Sequence, residues 1–212
     1  MKKYPKTVFA AVILMFPLIL LNSPENLWAK NLEITPFGGY RMGGDFELNT
    51  GESLRLDDSS SYGVIIGMDY QENTQLEFLY SHQESPLKKQ NGTSPNETLF
   101  DLGVDYFQLG GTYLWDYDRV VPFLSGGLGA TYFNPDSSGY SSVTKFSMSL
   151  GGGVKLYATE HIGLRLEGRG YGTFMNSGGA IFCGGDSGGC QVFVSSDVWV
   201  QFEVLAGLIF KF

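Results

Sequence analysis

The sequence predicts an all-β fold, an antiparallel up-and-down β-barrel of eight strands preceded by a cleaved signal peptide. Three observations carry this prediction. Apolar and polar residues alternate over eight segments after residue 30, which is typical of strands with two unlike faces. No long segment shows the roughly 3.6-residue period of an amphipathic helix. The connections between the segments are short and long in turn, so the two ends of the predicted barrel differ.

Residues 1–29 are predicted to be a secretory signal peptide. A basic start, "MKKYPK", precedes the apolar stretch "TVFAAVILMFPLILL", and "NLWA" places the small residue Ala29 before Lys30. The apolar stretch is shorter than the roughly 20 residues of a spanning helix, which argues against a membrane anchor. We expect cleavage after Ala29 and a mature domain of residues 30–212. The chain has a net charge of −8, so nucleic acid is not an expected partner.

The predicted strands alternate between short turns and long connections. The turns "QEN", "DYDR" and "ATE" follow the second, fourth and sixth strands, and the other connections are long and rich in Gly, Ser, Asn and Asp. Short turns at one end and long loops at the other, on an even number of strands, are typical of transmembrane barrels of the outer membrane. The predicted strands are 32–41, 61–71, 74–83, 102–115, 120–133, 145–157, 161–173 and 197–212.

One face of these strands is apolar from end to end, which indicates that it meets lipid. In the last strand, every second residue from Val198 to Phe212 is apolar. Alternation alone does not show which face is buried, so a secreted soluble β-sandwich is an alternative. Aromatic residues collect near both strand ends, as in barrels with two membrane interfaces: Tyr40, Tyr62, Tyr80 and Tyr132 toward the long loops, and Tyr70, Tyr113, Trp115 and Phe210 toward the short turns.

The other face carries charges of both signs, which predicts an ionic network inside the barrel. The interior of an eight-stranded barrel holds only side chains, and an unpaired charge at membrane depth is costly. The network could be a structural plug or a narrow ion path gated by exchange of partners. Its predicted members are Glu77, Lys155, Arg165, Glu167, Arg169 and Glu203, and further inward positions are Glu33, Arg41, Asp69, Gln75 and Gln201.

Cys183 and Cys190 flank "GGDSGG" in the last long connection. Because an exported chain enters an oxidising compartment, we expect a disulfide that closes this loop. The string GDSGG also occurs around the nucleophilic serine of trypsin-like proteases, but neither His82 nor His161 stands in the sequence context of that family's histidine. A zinc site would favour histidine ligands near the two cysteines, and no histidine flanks them. No catalytic, cofactor-binding or metal site is therefore predicted.

Five segments resemble the small outer-membrane β-barrel proteins of Gram-negative bacteria, the group that includes OmpA-type transmembrane domains and OmpX. They are "LEITPFGGYRMGGDF", "VDYFQLGGTYLW", "VPFLSGGLGATYF", "GLRLEGRGYG" and "VLAGLIFKF". The resemblance covers essentially the whole chain after the signal peptide. It implies an outer-membrane location among lipids and lipopolysaccharide, with long loops extracellular and short turns periplasmic. It also implies that Phe212, with Phe210 before it, is the signal by which the barrel-assembly machinery recognises a client.

Three functions fit this class. The first is a non-enzymatic barrel that contributes to envelope integrity and contacts an unidentified extracellular ligand through its loops, since loops on a rigid scaffold commonly carry specific function. The second is a narrow channel or conduit for ions or small hydrophobic molecules, as in OmpW-type relatives. The third is a lipid A-modifying enzyme that uses histidine with serine. Adjacent strand residues point to opposite faces, so Ser81 cannot easily meet His82.

Overall fold

The computed structural model describes residues 32–47, 53–90, 97–115, 119–136, 141–175 and 198–212. These ranges lie within one compact unit, Leu32–Phe212. Every regular element in them is a β-strand, and they contain no helix with the length and apolar character needed to cross a bilayer. The predicted signal peptide, Cys183 and Cys190 lie outside the described residues.

The described residues form one antiparallel sheet that closes into a barrel. Its strands pair in the order β5-β4-β1-β10-β9-β8-β7-β6, and β6 pairs back with β5. The fold class is therefore confirmed, because eight strands close the barrel and two short strands extend it. The strands are β1 Leu32–Gly43, β2 Asp45–Glu47, β3 Ser53–Leu56, β4 Ser59–Gln71, β5 Thr74–Gln90, β6 Glu97–Leu114, β7 Val120–Pro135, β8 Val143–Tyr157, β9 Ile162–Phe174 and β10 Val198–Lys211.

The two ends of the barrel differ as the connection lengths predict. At the short-turn end, two residues join β4 to β5, and β8 returns to β9 after Tyr157. The first and last strands also meet at this end, where Ile34 lies opposite Phe210. We call the other end, which contains Gly43 and Val198, the long-loop end. Closure of β1 onto β10 leaves the barrel wall without an open edge.

The predicted strand bounds are wrong at the long-loop end in two places. The first long connection, predicted to be a loop, contains β2 and β3, and β3 pairs with the outer part of β5, where Leu56 lies opposite Leu87. In addition, β5 continues to Gln90 and β6 begins at Glu97, beyond the predicted ends at 83 and 102. The prediction ended these strands where apolar alternation stopped. Backbone pairing continues past that point, because a strand that has left the lipid no longer needs an apolar outer face.

The apolar face of the strands is on the outside of the barrel. Along β10 exposed and buried residues alternate throughout. Phe202 and Val204 are 58% and 57% exposed, whereas Gln201 and Glu203 are buried. The soluble sandwich alternative is therefore wrong, since a single closed sheet buries the polar face and presents the apolar face, as a membrane barrel does.

An apolar cluster fills the interior at the long-loop end, and we call it the apolar cap. Its members come from β3, β5, β6, β7, β10 and the residue after β9. The rings of Phe133 and Trp199 meet edge to face with centroids 5.1 Å apart. The sequence analysis missed this cap because its members lie on extensions and strand ends where alternation is weak. The cap consists of Leu56, Leu87, Leu102, Phe133, Met175 and Trp199, each no more than 3% exposed.

Candidate functional site in the barrel interior

Four charged side chains form a closed ring of ion pairs inside the barrel, which we call the central ring. Arg165 Nη1 and Nη2 donate to Oε1 and Oε2 of Glu77 at 2.6 and 3.2 Å, and Arg165 Nε donates to Glu167 Oε2 at 2.8 Å. Arg169 Nε donates to Glu167 Oε1 at 2.8 Å, and its Nη2 lies 3.5 Å from Glu77 Oε2. Two positive and two negative side chains thus balance one another in a buried site.

The strand period of two and small neighbouring residues make room for this ring. Arg165, Glu167 and Arg169 occupy every second position of β9, so all three point inward. On the adjacent strand β8, Gly151 and Gly153 lie opposite Arg169 and Glu167. A Cβ atom at Gly151 would lie only 2.6 Å from Glu167 Oε1. The glycines therefore leave the lumen free for the long charged side chains.

A second polar group, the turn-end chain, lies toward the short turns. Lys155 Nζ donates to Glu33 Oε1 at 2.7 Å and to Gln75 Oε1 at 2.6 Å. Gln75 Nε2 donates to Asp69 Oδ1 at 2.6 Å, and Lys211 Nζ lies 3.2 Å from Asp69 Oδ2. Lys155 and Glu33 are buried. This group also contains equal numbers of positive and negative side chains.

A third polar group, the loop-end group, lies between the central ring and the apolar cap. Arg41 Nη2 donates to Glu203 Oε1 at 3.1 Å, and the hydroxyls of Ser81 and Tyr171 donate to Glu203 at 2.8 and 2.6 Å. The Tyr106 and Tyr171 rings stack with centroids 4.0 Å apart. The Arg41 guanidinium lies over the Tyr106 ring at 4.7 Å. The Glu203 carboxylate is thus satisfied from three sides.

All six residues of the predicted network are buried, but the structure divides them among three groups. Glu77 joins the three charged residues of β9 in the central ring. Lys155 pairs instead with Glu33, and Glu203 pairs with Arg41. The sequence analysis recognised Glu33 and Arg41 as inward positions. It did not predict that they pair with Lys155 and Glu203. The register of β1 against β10, which sets Arg41 opposite Glu203, decides the second of these pairs.

A further polar group, the outward-facing cluster, lies on the lipid-facing side of β4, β5 and β6. His82 Nδ1 lies 2.7 Å from Asp105 Oδ1, and Tyr80 Oη donates to the same oxygen at 2.9 Å. The Tyr62 ring packs beside the His82 ring, with centroids 5.2 Å apart. The His82 and Asp105 side chains are 21% and 14% exposed. Ser81 points into the lumen, so the barrel wall separates its hydroxyl from His82.

The remaining predicted site residues have different placements. Phe210 and Phe212 are exposed at the short-turn end, where the backbone N–H of Phe212 donates to the carbonyl of Leu32 at 2.9 Å. Their role as an assembly signal stays a prediction, as does the disulfide of Cys183 and Cys190. Across the described part of the chain, no group of three or more His, Cys, Asp or Glu side chains is placed to hold a metal ion.

With this geometry, the chain can be compared with known proteins. The family model described as "Outer membrane protein beta-barrel domain" matches residues 27–204. The chain belongs to this family. Its apolar outer surface and filled interior are accordingly those of an outer-membrane β-barrel protein, and its location is the outer membrane. No curated protein sequence matches this outer-membrane barrel.

Solved structures show the same fold at low sequence identity. Neisserial surface protein A has a TM-score of 0.57 and 16% identity over 85% of this chain and 97% of its own. OprG from Pseudomonas aeruginosa has a TM-score of 0.59 and 13% identity over 87% and 97%. AlkL, determined in DMPC bilayers, has a TM-score of 0.55 and 13% identity over 100% and 97%. At these identities the likeness shows the fold alone.

Proposed function

We propose that this protein is a non-enzymatic outer-membrane barrel with a closed interior, which contributes to envelope integrity and contacts external partners through its long loops. One observation carries the closed interior. Glu77 on β5 and Arg165 on β9 stand four strands apart in either direction around the barrel. Their bidentate contact therefore crosses the full width of the lumen and occupies the path that an ion would take.

Two further layers support a closed lumen. In the turn-end chain, Lys155 on β8 reaches both Glu33 on β1 and Gln75 on β5. At the other end, the buried leucine and aromatic side chains of the apolar cap fill the interior. Breaking a buried ion pair leaves charges unpaired, which costs about 3–5 kcal/mol. A passing ion would have to separate such pairs at more than one level.

The proposal includes the route to the membrane. Residues 1–29 direct export and are removed, and an oxidising compartment joins Cys183 to Cys190. Phe210 and Phe212 are then recognised by the barrel-assembly machinery. Membership of the outer-membrane barrel family supports this route, because such proteins reach their membrane from the periplasm.

The proposal also assigns an orientation and partners. Long loops face the outside and short turns face the periplasm, as the unequal connection lengths favour. Lipids and lipopolysaccharide surround the apolar band, and the partner of the loops is an unidentified extracellular ligand. Cells with the mature chain tagged in the 91–96 connection should be labelled by an impermeant antibody, whereas a tag in the two-residue turn before Thr74 should be labelled only after permeabilisation. The reverse pattern contradicts the orientation.

The placement of His82 supports a non-enzymatic role. Ser81 Oγ lies inside the barrel and donates to Glu203 at 2.8 Å, whereas His82 lies outside and pairs with Asp105. The barrel wall lies between the hydroxyl and the imidazole, so they cannot act together on one substrate atom. Mass spectrometry of lipid A from cells with and without the protein tests this directly, and a new lipid A species in expressing cells contradicts the proposal.

A conduit for ions or small hydrophobic molecules is the second candidate function. The apolar cap bars ions, but its leucine and aromatic side chains offer a compatible surface to a hydrophobic molecule that enters at the long-loop end. Conductance and uptake separate the candidates: a closed barrel gives no stable conductance steps in a planar bilayer and does not speed the uptake of an apolar probe into vesicles.

A variant that clears the lumen provides the positive control for that measurement. We expect Glu77→Ala combined with Arg165→Ala to open conductance steps, because the contact between opposite walls is lost. The variant Glu160→Gln removes one charge from an exposed turn residue and should stay closed. Steps from the unmodified protein as large as those of the double variant would overturn the closed interior.

A further inference from the structure

The outward-facing cluster places an ionisable pair where the barrel wall is otherwise apolar. Tyr62, His82 and Asp105 lie directly opposite one another on β4, β5 and β6, and the row continues to Tyr132 on β7. The pair between His82 and Asp105 is not needed to fill the lumen, because both side chains point away from it. A paired carboxylate and imidazole that neither fill the lumen nor belong to the apolar band are candidates for a binding site.

This row lies at the long-loop edge of the membrane-spanning band. A transmembrane strand needs about 9–11 residues. Counted from Thr74, the first residue of β5, His82 lies near the end of such a span. Below it on the same outward face, Leu76 and Phe78 are exposed and apolar. The next outward residue above it is the charged Glu84. The cluster therefore lies at the level of lipid headgroups.

The hydrogen bonds inside the cluster leave acceptors for a ligand. An ionised carboxylate can only accept hydrogen bonds, so His82 Nδ1 carries the proton shared with Asp105. Tyr80 Oη donates its proton to the same carboxylate oxygen. Among the described residues, neither Asp105 Oδ2 nor His82 Nε2 has a hydrogen-bond partner. The cluster thus offers Asp105 Oδ2 as an acceptor, Nε2 of the neutral His82 imidazole as a second acceptor, one negative charge and the adjacent Tyr62 ring.

We propose that Asp105, His82 and Tyr62 bind the ammonium group of a lipid headgroup in the leaflet around the long-loop end. An ammonium carries three N–H donors and a positive charge, which match the two acceptors and the carboxylate. The aromatic face beside them adds a cation–π attraction. A phosphate would meet the like charge of Asp105. This site goes beyond the proposed function and does not depend on what the loops contact.

Native mass spectrometry with defined lipids tests the site. The refolded protein in detergent at pH 8 is mixed with equal amounts of phosphatidylethanolamine and phosphatidylglycerol that carry the same acyl chains. We expect the ethanolamine lipid to be retained about tenfold more than the glycerol lipid, as one charge-assisted hydrogen bond allows. Asp105→Asn should abolish this preference. The matched control Glu84→Gln loses the same charge two residues above His82 on the same face and should keep it.

Three outcomes overturn the site: equal retention of the two lipids by the unmodified protein, a preference for phosphatidylglycerol, or an undiminished ethanolamine preference in folded Asp105→Asn. Folding of each variant is checked by heat-modifiable migration on gels. If Asp105→Asn does not fold, the unmodified protein still decides, because N-acetyl phosphatidylethanolamine lacks the ammonium. The unmodified protein should retain N-acetyl phosphatidylethanolamine only as well as phosphatidylglycerol. Retention equal to that of phosphatidylethanolamine contradicts the proposal.

Discussion

Arg165 donates to both carboxylate oxygens of Glu77 from the opposite wall of the barrel, at 2.6 and 3.2 Å. Glu77→Gln would leave Arg165 and Arg169 buried with Glu167 as the single remaining carboxylate of the central ring. We expect this change to lower the free energy of unfolding by about 3–5 kcal/mol. Urea titration in micelles, followed by tryptophan fluorescence, measures the effect.

An exposed carboxylate provides the matched control for that change. Glu160→Gln removes the same charge from the short turn after β8, where the side chain is exposed. It should change the free energy of unfolding by less than about 0.5 kcal/mol. Equal effects of the two variants would mean that the central ring contributes nothing to stability.

The lipid-facing band predicts a dependence on depth along β8. Leu150 lies near the middle of this strand and is 66% exposed, whereas Phe146 is 54% exposed nearer its long-loop end. Arginine at the bilayer midplane of a barrel costs about 2–4 kcal/mol and near the interface about 0–1 kcal/mol. We therefore expect Leu150→Arg to destabilise the protein more than Phe146→Arg does, in folding titrations with lipid vesicles. If Phe146→Arg is the more destabilising variant, the centre of the lipid-facing band lies nearer the long-loop end than Leu150.

The apolar cap predicts a large effect of truncation at Leu102, which is completely buried. Leu102→Ala should lower the free energy of unfolding by about 2–5 kcal/mol, because the cavity is not refilled by its neighbours. Leu102→Met keeps the volume and should cost less than about 1.5 kcal/mol. The same urea titration compares the two variants, and indistinguishable midpoints would show that the cap is loosely packed.

Gly44, which lies between β1 and β2 beside the apolar cap, has a backbone conformation that would be strained in a residue with a side chain. Its φ is +112°, and a Cβ atom there would lie 2.8 Å from Trp199 Cζ2. We expect Gly44→Ala to destabilise by about 1–3 kcal/mol, the usual cost of a left-handed conformation in a residue with a side chain. Gly168 on β9 has nothing within 4 Å of such an atom, so Gly168→Ala should change thermal unfolding little. If Gly44→Ala destabilises the protein no more than Gly168→Ala does, the backbone between β1 and β2 adjusts freely around residue 44.

The placement of Arg165, Glu167 and Arg169 shows how far local pattern reaches. Side chains on a strand alternate between two faces, so every second position points the same way regardless of the rest of the chain. That all three lie on one face was therefore predictable from β9 alone, and closure of the sheet into a barrel makes that face the inner one. The partner of Lys155 was not, because Glu33 comes from a strand three places away around the barrel.

The sequence by itself determined the local properties of this protein: which residues share the apolar face of a strand, which share its polar face, and where the short turns lie. These follow from the period of two and from turn composition, which involve only neighbouring residues. The tertiary structure alone decided which inward charges meet, the extension of β5 and β6 beyond residues 83 and 102, the pairing of β3 with β5, and the meeting of His82 with Asp105 on the outer wall. Those relationships depend on strand register and barrel closure, which bring together residues far apart in the chain.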